Sequence, residues 1–474
     1  MAVNKRYNTT ILISSVIWMF LALCANSIFA DGTTERVHTI LTLLCLLTYL
    51  IGIINWCKVG CRFLSAYVLF MLYAMFSTIG QPIAYLLNVS GELLSVYAFH
   101  SIVEVNRYLR FLLLCISGMN VGVAIALFKK RNCVGLDDQI KSYTHNTFKS
   151  KYSQILNILT VISWSYVILN CLKMLVLRQS YGYAEFYDMR VASNSMLGAL
   201  LSTTAVILFF WSVFHKKHTK ILYACVLITM FLYMIIGVRT QAISMLAILC
   251  ICTPITHPQF FKKKFIPLWI VMAIFAFAGI GLIATFRTET IGTSSLTTGN
   301  TLIDSLYETT TEMGFSARTA ILAMEAIDYG FPHHQTILTS IINGFIPLVS
   351  NLPLIQNETM HLAEWITDYA MSYNNGIGFC FIGEMYVNFG ELGWIFMIFY
   401  GWLVAFLENF AYKRIIKGKW LLAFCILFVL CEQIFYARGE MILTMGNIRA
   451  CVYISIIWLI IKMFCDSPSY TYKQ

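Results

Sequence analysis

The sequence predicts an all-α polytopic membrane protein with about twelve transmembrane helices, both termini cytoplasmic and one large helical loop on the outer side. Three observations carry this expectation. Of 474 residues, 59% are hydrophobic and 12% charged, and the mean hydropathy is +0.72. A soluble domain has roughly 45–50% apolar and about 25% charged residues. Apolar runs near the roughly 20 residues needed to cross a bilayer recur along the chain, and the basic residues between them favour alternate sides.

The first run, 10–30, follows Lys5 and Arg6 and is too long for a signal-peptide core, so it reads as a membrane helix. Further runs follow at 37–57, 63–87, 109–128, 155–177, 195–214, 220–237, 240–255 and 265–286. After a long gap come 391–410, 420–437 and 441–463. The 220–237 and 240–255 runs are short and joined only through Val238 and Arg239. The chain thus divides into a membrane bundle over 1–286, an external loop over 287–390 and a second membrane segment over 391–474. That loop is too apolar and aromatic to be disordered. Helical spacing predicts three helices in it, over 312–329, 336–345 and 358–371, lying on the membrane or packed over the bundle.

A cytoplasmic N-terminus puts 22 of the 33 basic residues inside and 11 outside, which splits the net charge of +10 into +18 inside and −8 outside. The positive charge is therefore a topology signal, and no contiguous basic face would track a nucleic acid. The inner set is mostly lysine. The outer set is ten arginines (Arg36, Arg107, Arg110, Arg178, Arg190, Arg239, Arg287, Arg318, Arg438 and Arg449) with Lys173. Loop charge alone does not distinguish Arg from Lys, whereas the planar guanidinium fork suits bidentate grip on phosphate or carboxylate. Salt bridges to the outer carboxylates are the competing explanation. The 15 cysteines lie mostly in apolar runs without metal-ligand spacing, and His333, His334 and His361 form no recognised metal motif.

The most distinctive segment is GIGFCFIGEMYVNFGELGW, residues 376–394, with five glycines around Glu384 and Glu391. A carboxylate in so apolar a stretch is costly unless it has a partner or a task. Taken with Glu312-Met-Gly, Glu358, Gly237-Val-Arg-Thr240 and Tyr436-Ala-Arg-Gly-Glu440, the segment resembles the Wzy-type O-antigen/capsule oligosaccharide repeat-unit polymerases. The resemblance covers most of 230–450; the first 200 residues match only in hydropathy. It implies a GT-C-like, multi-span glycosyltransferase of the bacterial cytoplasmic membrane. Such an enzyme joins undecaprenyl-diphosphate-linked oligosaccharide units on the outer face, using no nucleotide sugar, cofactor or metal. The implied partners are the lipid-linked donor and acceptor and the bilayer, with a chain-length regulator and a flippase of the same pathway, and no nucleic acid.

That chemistry needs cations for a diphosphate leaving group and a base for a sugar hydroxyl. Arg239, in the turn between two short spans, and Arg438, at an outer helix end, are the catalytic cations expected, with Glu384 as the leading base. Arg287, Arg318, Arg449, Glu358, His361, Tyr386 and Glu440 are the expected diphosphate- and sugar-binding residues, and Glu358, His361 and Glu440 are also weaker candidates for the base. If one helix continues through Gly439, Arg438 and Arg449 share a face about 16 Å apart. Two other readings share the hydropathy: a lipid-linked glycan flippase or transporter, and an O-antigen-ligase-like transferase.

Overall fold

The computed structural model describes residues 2–59, 63–89, 94–128, 153–181, 186, 196–215, 218–256, 309–331, 337–345, 361–370 and 378–466. Among them the chain is helical throughout, with no strand. Ten helices are long and apolar enough to cross a membrane, and the protein is a multi-pass membrane protein. Seven of these form α1 (Ala2–Ile28), α2 (Glu35–Lys58), α3 (Ala66–Leu86), α5 (Ile102–Phe128), α6 (Ser153–Tyr181), α7 (Met196–Phe214) and α8 (Thr219–Ile236), matching the first seven expected runs. A five-residue helix, α4 (Ser95–Phe99), precedes α5. The eighth run forms α9 (Arg239–Thr256), whose apolar part, Gln241–Thr253, is shorter than a span. The ninth, 265–286, lies outside the described residues.

The three expected loop helices are α10 (Ser316–Asp328), α11 (Ile337–Phe345) and α12 (Leu362–Tyr369). Then come α13 (Phe381–Phe389), α14 (Gly393–Ile416), α15 (Trp420–Glu432) and α16 (Met441–Asp466). The tenth run starts earlier than expected: the apolar stretch covers Phe381–Ile416, 36 residues. Unbroken, it would be about 54 Å long, against a hydrocarbon core of about 30 Å. Gly390 breaks it at φ 55°, a conformation side chains rarely adopt, and Gly390–Leu392 make a single 3₁₀ turn.

Helix α5 is the axis of the first half. Its buried residues run almost continuously from Leu109 to Ala124, and α1, α2 and α14 pack around it. The α5–α14 contact is the closest. A Cβ on Gly122 would strike the carbonyl oxygen of Ile398, and one on Gly401 that of Met119. Absent side chains let two backbones approach closely where lipid supplies no hydrophobic drive between helices. Two buried tyrosine hydroxyls of this core are pinned: Tyr67 donates to Asn120 Oδ1 at 2.9 Å, and Tyr108 to the Thr78 carbonyl at 3.0 Å. Large apolar side chains such as Phe20, Leu169 and Phe231 point outward and are more than half exposed, as a lipid-facing surface requires.

Side-chain links gather one end of the bundle. The end of α1 meets α5 through Arg110 and the Asn26 carbonyl (3.3 Å), and α2 meets α5 through His38 and Asn106 (2.9 Å). Gln81, near the end of α3, donates to the Thr311 carbonyl at 2.8 Å. At this end α10 packs against α3, α5 and α13, with Ala317, Ala320 and Ala323 fully buried. The helix is therefore set into the bundle and does not lie on a membrane surface.

Candidate active site

The glycine-rich segment enters the interior. Phe379, Cys380, Phe381 and Ile382 are at most 1% exposed, whereas Phe389 is 40% exposed. Helix α13 thus rises from the core towards the gathered end before the chain turns at Gly390 into α14. Of the segment that the sequence reading groups with an external loop, residues 379–387 are buried. Three side chains nearby cap three helix N-termini, where unsatisfied backbone N–H groups and the helix dipole favour oxygen acceptors. Glu384 Oε2 accepts from the Met441 N–H at 2.9 Å and so caps α16. Asn388 Oδ1 accepts from the Ile337 N–H at 2.9 Å at the start of α11. Glu440 accepts from Leu362 (2.9 Å) and Ala363 (3.2 Å) at the start of α12. Caps of this kind contribute about 1 kcal/mol each.

Glu384 is 0% exposed. Its second oxygen has no hydrogen-bond partner, and the buried Tyr436 hydroxyl lies beside it. The carboxyl expected to serve as the base is therefore enclosed, with half of it spent on a cap.

The chain between α15 and α16 passes through a 3₁₀ turn, Gln433–Arg438, and then Gly439 in extended conformation (φ −159°, ψ −164°). Arg438 and Arg449 consequently do not lie on one continuous helix, so the condition for a shared face is not met. Arg449 lies eight residues into α16, about 12 Å along its axis from Met441. Neither arginine has an ion pair among the described residues, and both are half-buried. On the far side of Gly439, Glu440 lies 3.6 Å from His361 Nδ1; the imidazole is 44% exposed and the Glu440 side chain 4%. This carboxylate raises the His361 pKa above its ordinary value.

A second cluster, at the start of α5, was only partly visible in the sequence. Arg107 forms a bidentate pair with Asp328 and donates to the Tyr386 hydroxyl at 2.5 Å; Tyr386 in turn donates to Asp328 at 3.1 Å. Glu391 stands 3.7 Å away. Tyr386, expected on the substrate, is thus committed to an internal network. Arg318 stacks over the ring of Phe99 at 3.9 Å, and desolvation pulls its pKa down. Its Nε is buried without a partner.

Arg239 begins α9. Arg287 and Glu358 lie outside the described residues. Sequence reasoning also missed Glu432, inside a span, which accepts from Ser244 on α9 and from Asn447 on α16 at 3.4 Å. A lone carboxyl in the apolar run VLCEQIFY was the available signal. Among the described residues, His100, Glu104 and Glu325 bring ligand atoms within 4.8 Å of one another. Glu104 is already used there, accepting from the Ser101 N–H (2.7 Å) and hydroxyl (3.0 Å) as a capping box for α5.

The gathered end therefore combines a saturated arginine (Arg107), half-buried arginines lacking an ion pair among the described residues (Arg438, Arg449), and a partly exposed histidine against a fixed carboxylate. Such a set can bind an anion and accept a proton. The family model described as O-antigen polysaccharide polymerase Wzy matches residues 10–468, nearly the whole chain. No curated protein and no solved structure matches the chain.

Proposed function

The chain belongs to the O-antigen polysaccharide polymerase Wzy family, and from that premise we propose that it joins undecaprenyl-diphosphate-linked oligosaccharide repeat units into a surface polysaccharide on the outer face of the bacterial cytoplasmic membrane. In this reading the gathered end of the bundle faces outward and both termini are cytoplasmic. The growing chain leaves its lipid diphosphate and passes to the non-reducing end of a new lipid-linked unit. The polymer is O-antigen or capsule, and a flippase and a chain-length regulator act beside the enzyme.

The demand of this reaction is electrostatic. As the glycosyl bond breaks, charge grows on a diphosphate oxygen, and preorganised cations in a poorly hydrated place lower that barrier most. The observation that carries the site assignment is Arg438: half-buried and without an ion pair among the described residues, it sits just before Glu440 and Met441, which are fixed by hydrogen bonds to the start of α12 and to Glu384. A cation the fold has placed but not neutralised is available to a diphosphate. Arg239 is the second cation in this reading, with Arg287, Arg318 and Arg449 as further contacts along the lipid-linked substrates. Glu384, enclosed and capping α16, supports the break by holding Met441.

A deletion strain tests the reading. Surface glycan on a gel should collapse from a ladder to single repeat units, and a plasmid copy should restore the ladder. Copies carrying Arg438→Ala or Arg239→Ala should not. A normal ladder in the deletion strain refutes the proposal. Arg438→Lys separates simple charge from bidentate grip, because lysine keeps the first and loses the second.

A further inference from the structure

We propose that His361, oriented by Glu440, is the catalytic base that takes the hydroxyl proton of the acceptor sugar; this rests on the polymerase reading above. A base must reach the substrate, and the groups around the Gly439 break differ sharply in that respect. Glu384 is sealed, and the Glu440 side chain is 4% exposed with both oxygens engaged by backbone N–H groups. The His361 imidazole is 44% exposed. It occupies the N-cap position of α12, yet its side chain makes no capping hydrogen bond, so the ring is not spent on the helix.

Its orientation is also defined. Nδ1 faces Glu440 Oε1 at 3.6 Å, an arrangement that favours a proton on Nδ1 and leaves Nε2 as the open acceptor. The distance is longer than a hydrogen bond, as base–orienter pairs often are before substrate tightens them. Glu440 is itself immobilised by the N-terminus of α12, so the orienter does not wander. Among the described residues, Glu440, from the break, and Glu364, from the same helix, are the charged groups acting on the ring, and both favour its protonated form. Arg438 is two residues from Glu440, about 7 Å of extended chain. The orienter of the base and the phosphate-binding cation thus ride on the same short break.

The step balances. The acceptor hydroxyl oxygen bonds to the anomeric carbon of the donor as that carbon's bond to the diphosphate oxygen breaks. The electron pair of the broken bond stays on the lipid diphosphate beside Arg438, and the hydroxyl proton passes to His361 Nε2 and on to solvent.

The test uses the full-length protein in lipid nanodiscs with purified lipid-linked repeat units, following polymer length on gels across the pH range in which an imidazole titrates. Wild-type turnover should rise with pH through one ionisation and level off. His361→Gln should lower kcat by about 100-fold, leave KM for the lipid-linked unit within about two-fold and abolish the pH-dependent limb. His361→Ala should regain activity on addition of free imidazole, which a merely structural role would not allow. Full kcat with an unchanged pH limb in His361→Gln overturns the assignment, as does a loss confined to KM. If wild-type protein supports no ladder in cells, the polymerase reading falls and this inference with it; a wild-type ladder matched by His361→Gln overturns the inference alone.

Discussion

Arg107 and Arg438 stand at the same end of the bundle, and the fold treats them in opposite ways. Arg107 is surrounded by Asp328, the Tyr386 hydroxyl and Glu391, which tie α5 to α10 and α13. Arg438 has no ion pair among the described residues, although Glu440 is two positions away and Glu384 holds the next residue on. Those carboxylates are turned to helix N-termini, where backbone N–H groups occupy them. An excess of arginine on one face therefore does not by itself mark a binding site. In the proposed reading, what distinguishes a binding arginine is that nearby acids are committed elsewhere.

The contrast can be broken most severely at Arg438. Replacing it with alanine should lower polymerisation by about 100- to 1000-fold, the cost typical of a lost charge-stabilising donor. No ion pair is lost with it, so the thermal midpoint of the purified protein should stay within about 1 °C, corresponding to roughly 0.5 kcal/mol or less. A large drop in stability would show that Arg438 is structural after all. Arg107→Ala should do the reverse. It strands Asp328 and removes a partner of Tyr386, costing about 1–2 kcal/mol after allowance for its partial exposure, and a thermal-shift assay should detect this. Activity per folded molecule should fall less than ten-fold; a larger loss with stability intact would put Arg107 on the substrate.

Asp328→Asn is a milder version, keeping a side-chain acceptor for Tyr386 and losing the charge, and should cost about 1 kcal/mol or less by the same assay. The smallest effect concerns pH. Because the folded His361 pKa is raised by Glu440, the pair's stabilisation is complete below the ordinary histidine value of 6.5 and is lost as pH rises through the folded value. Hydrogen-exchange protection of Leu362–Tyr369 should decline slightly across that window in the wild type, and Glu440→Gln should remove the dependence.

The membrane helices were legible because burial in lipid demands long apolar runs, and among the described residues nine of the ten spans fall where hydropathy puts them. Breaks inside such runs were not. The 36-residue stretch from Phe381 to Ile416 reads as continuous, and the positive φ of Gly390 that divides it leaves no trace in hydropathy. Whether a helix continues through Gly439 was equally illegible, and its extended backbone removes the condition under which Arg438 and Arg449 would share a face. The Arg107 cluster was out of reach for another reason: its partners are 221 and 279 residues away, and periodicity reports only near neighbours. Glu384 shows the limit most clearly. Its apolar, glycine-rich context marks a carboxylate that needs a partner or a task, but the helix it caps begins 57 residues away and leaves no local trace.

The glycine seam between α5 and α14 also bears on how the chain is made. Gly122 and Gly401 are separated by about 280 residues, and at roughly 5–20 residues per second α14 leaves the ribosome tens of seconds after α5. Throughout that interval the glycine face of α5 lacks its partner, and the first half of the bundle must wait in the bilayer with its central helix packed by α1 and α2 but open on the side that α14 covers. A nascent chain stopped before α14 should therefore be recognised as incomplete by membrane proteases even though most of its spans are already inserted, so quality control for this protein is decided late in translation.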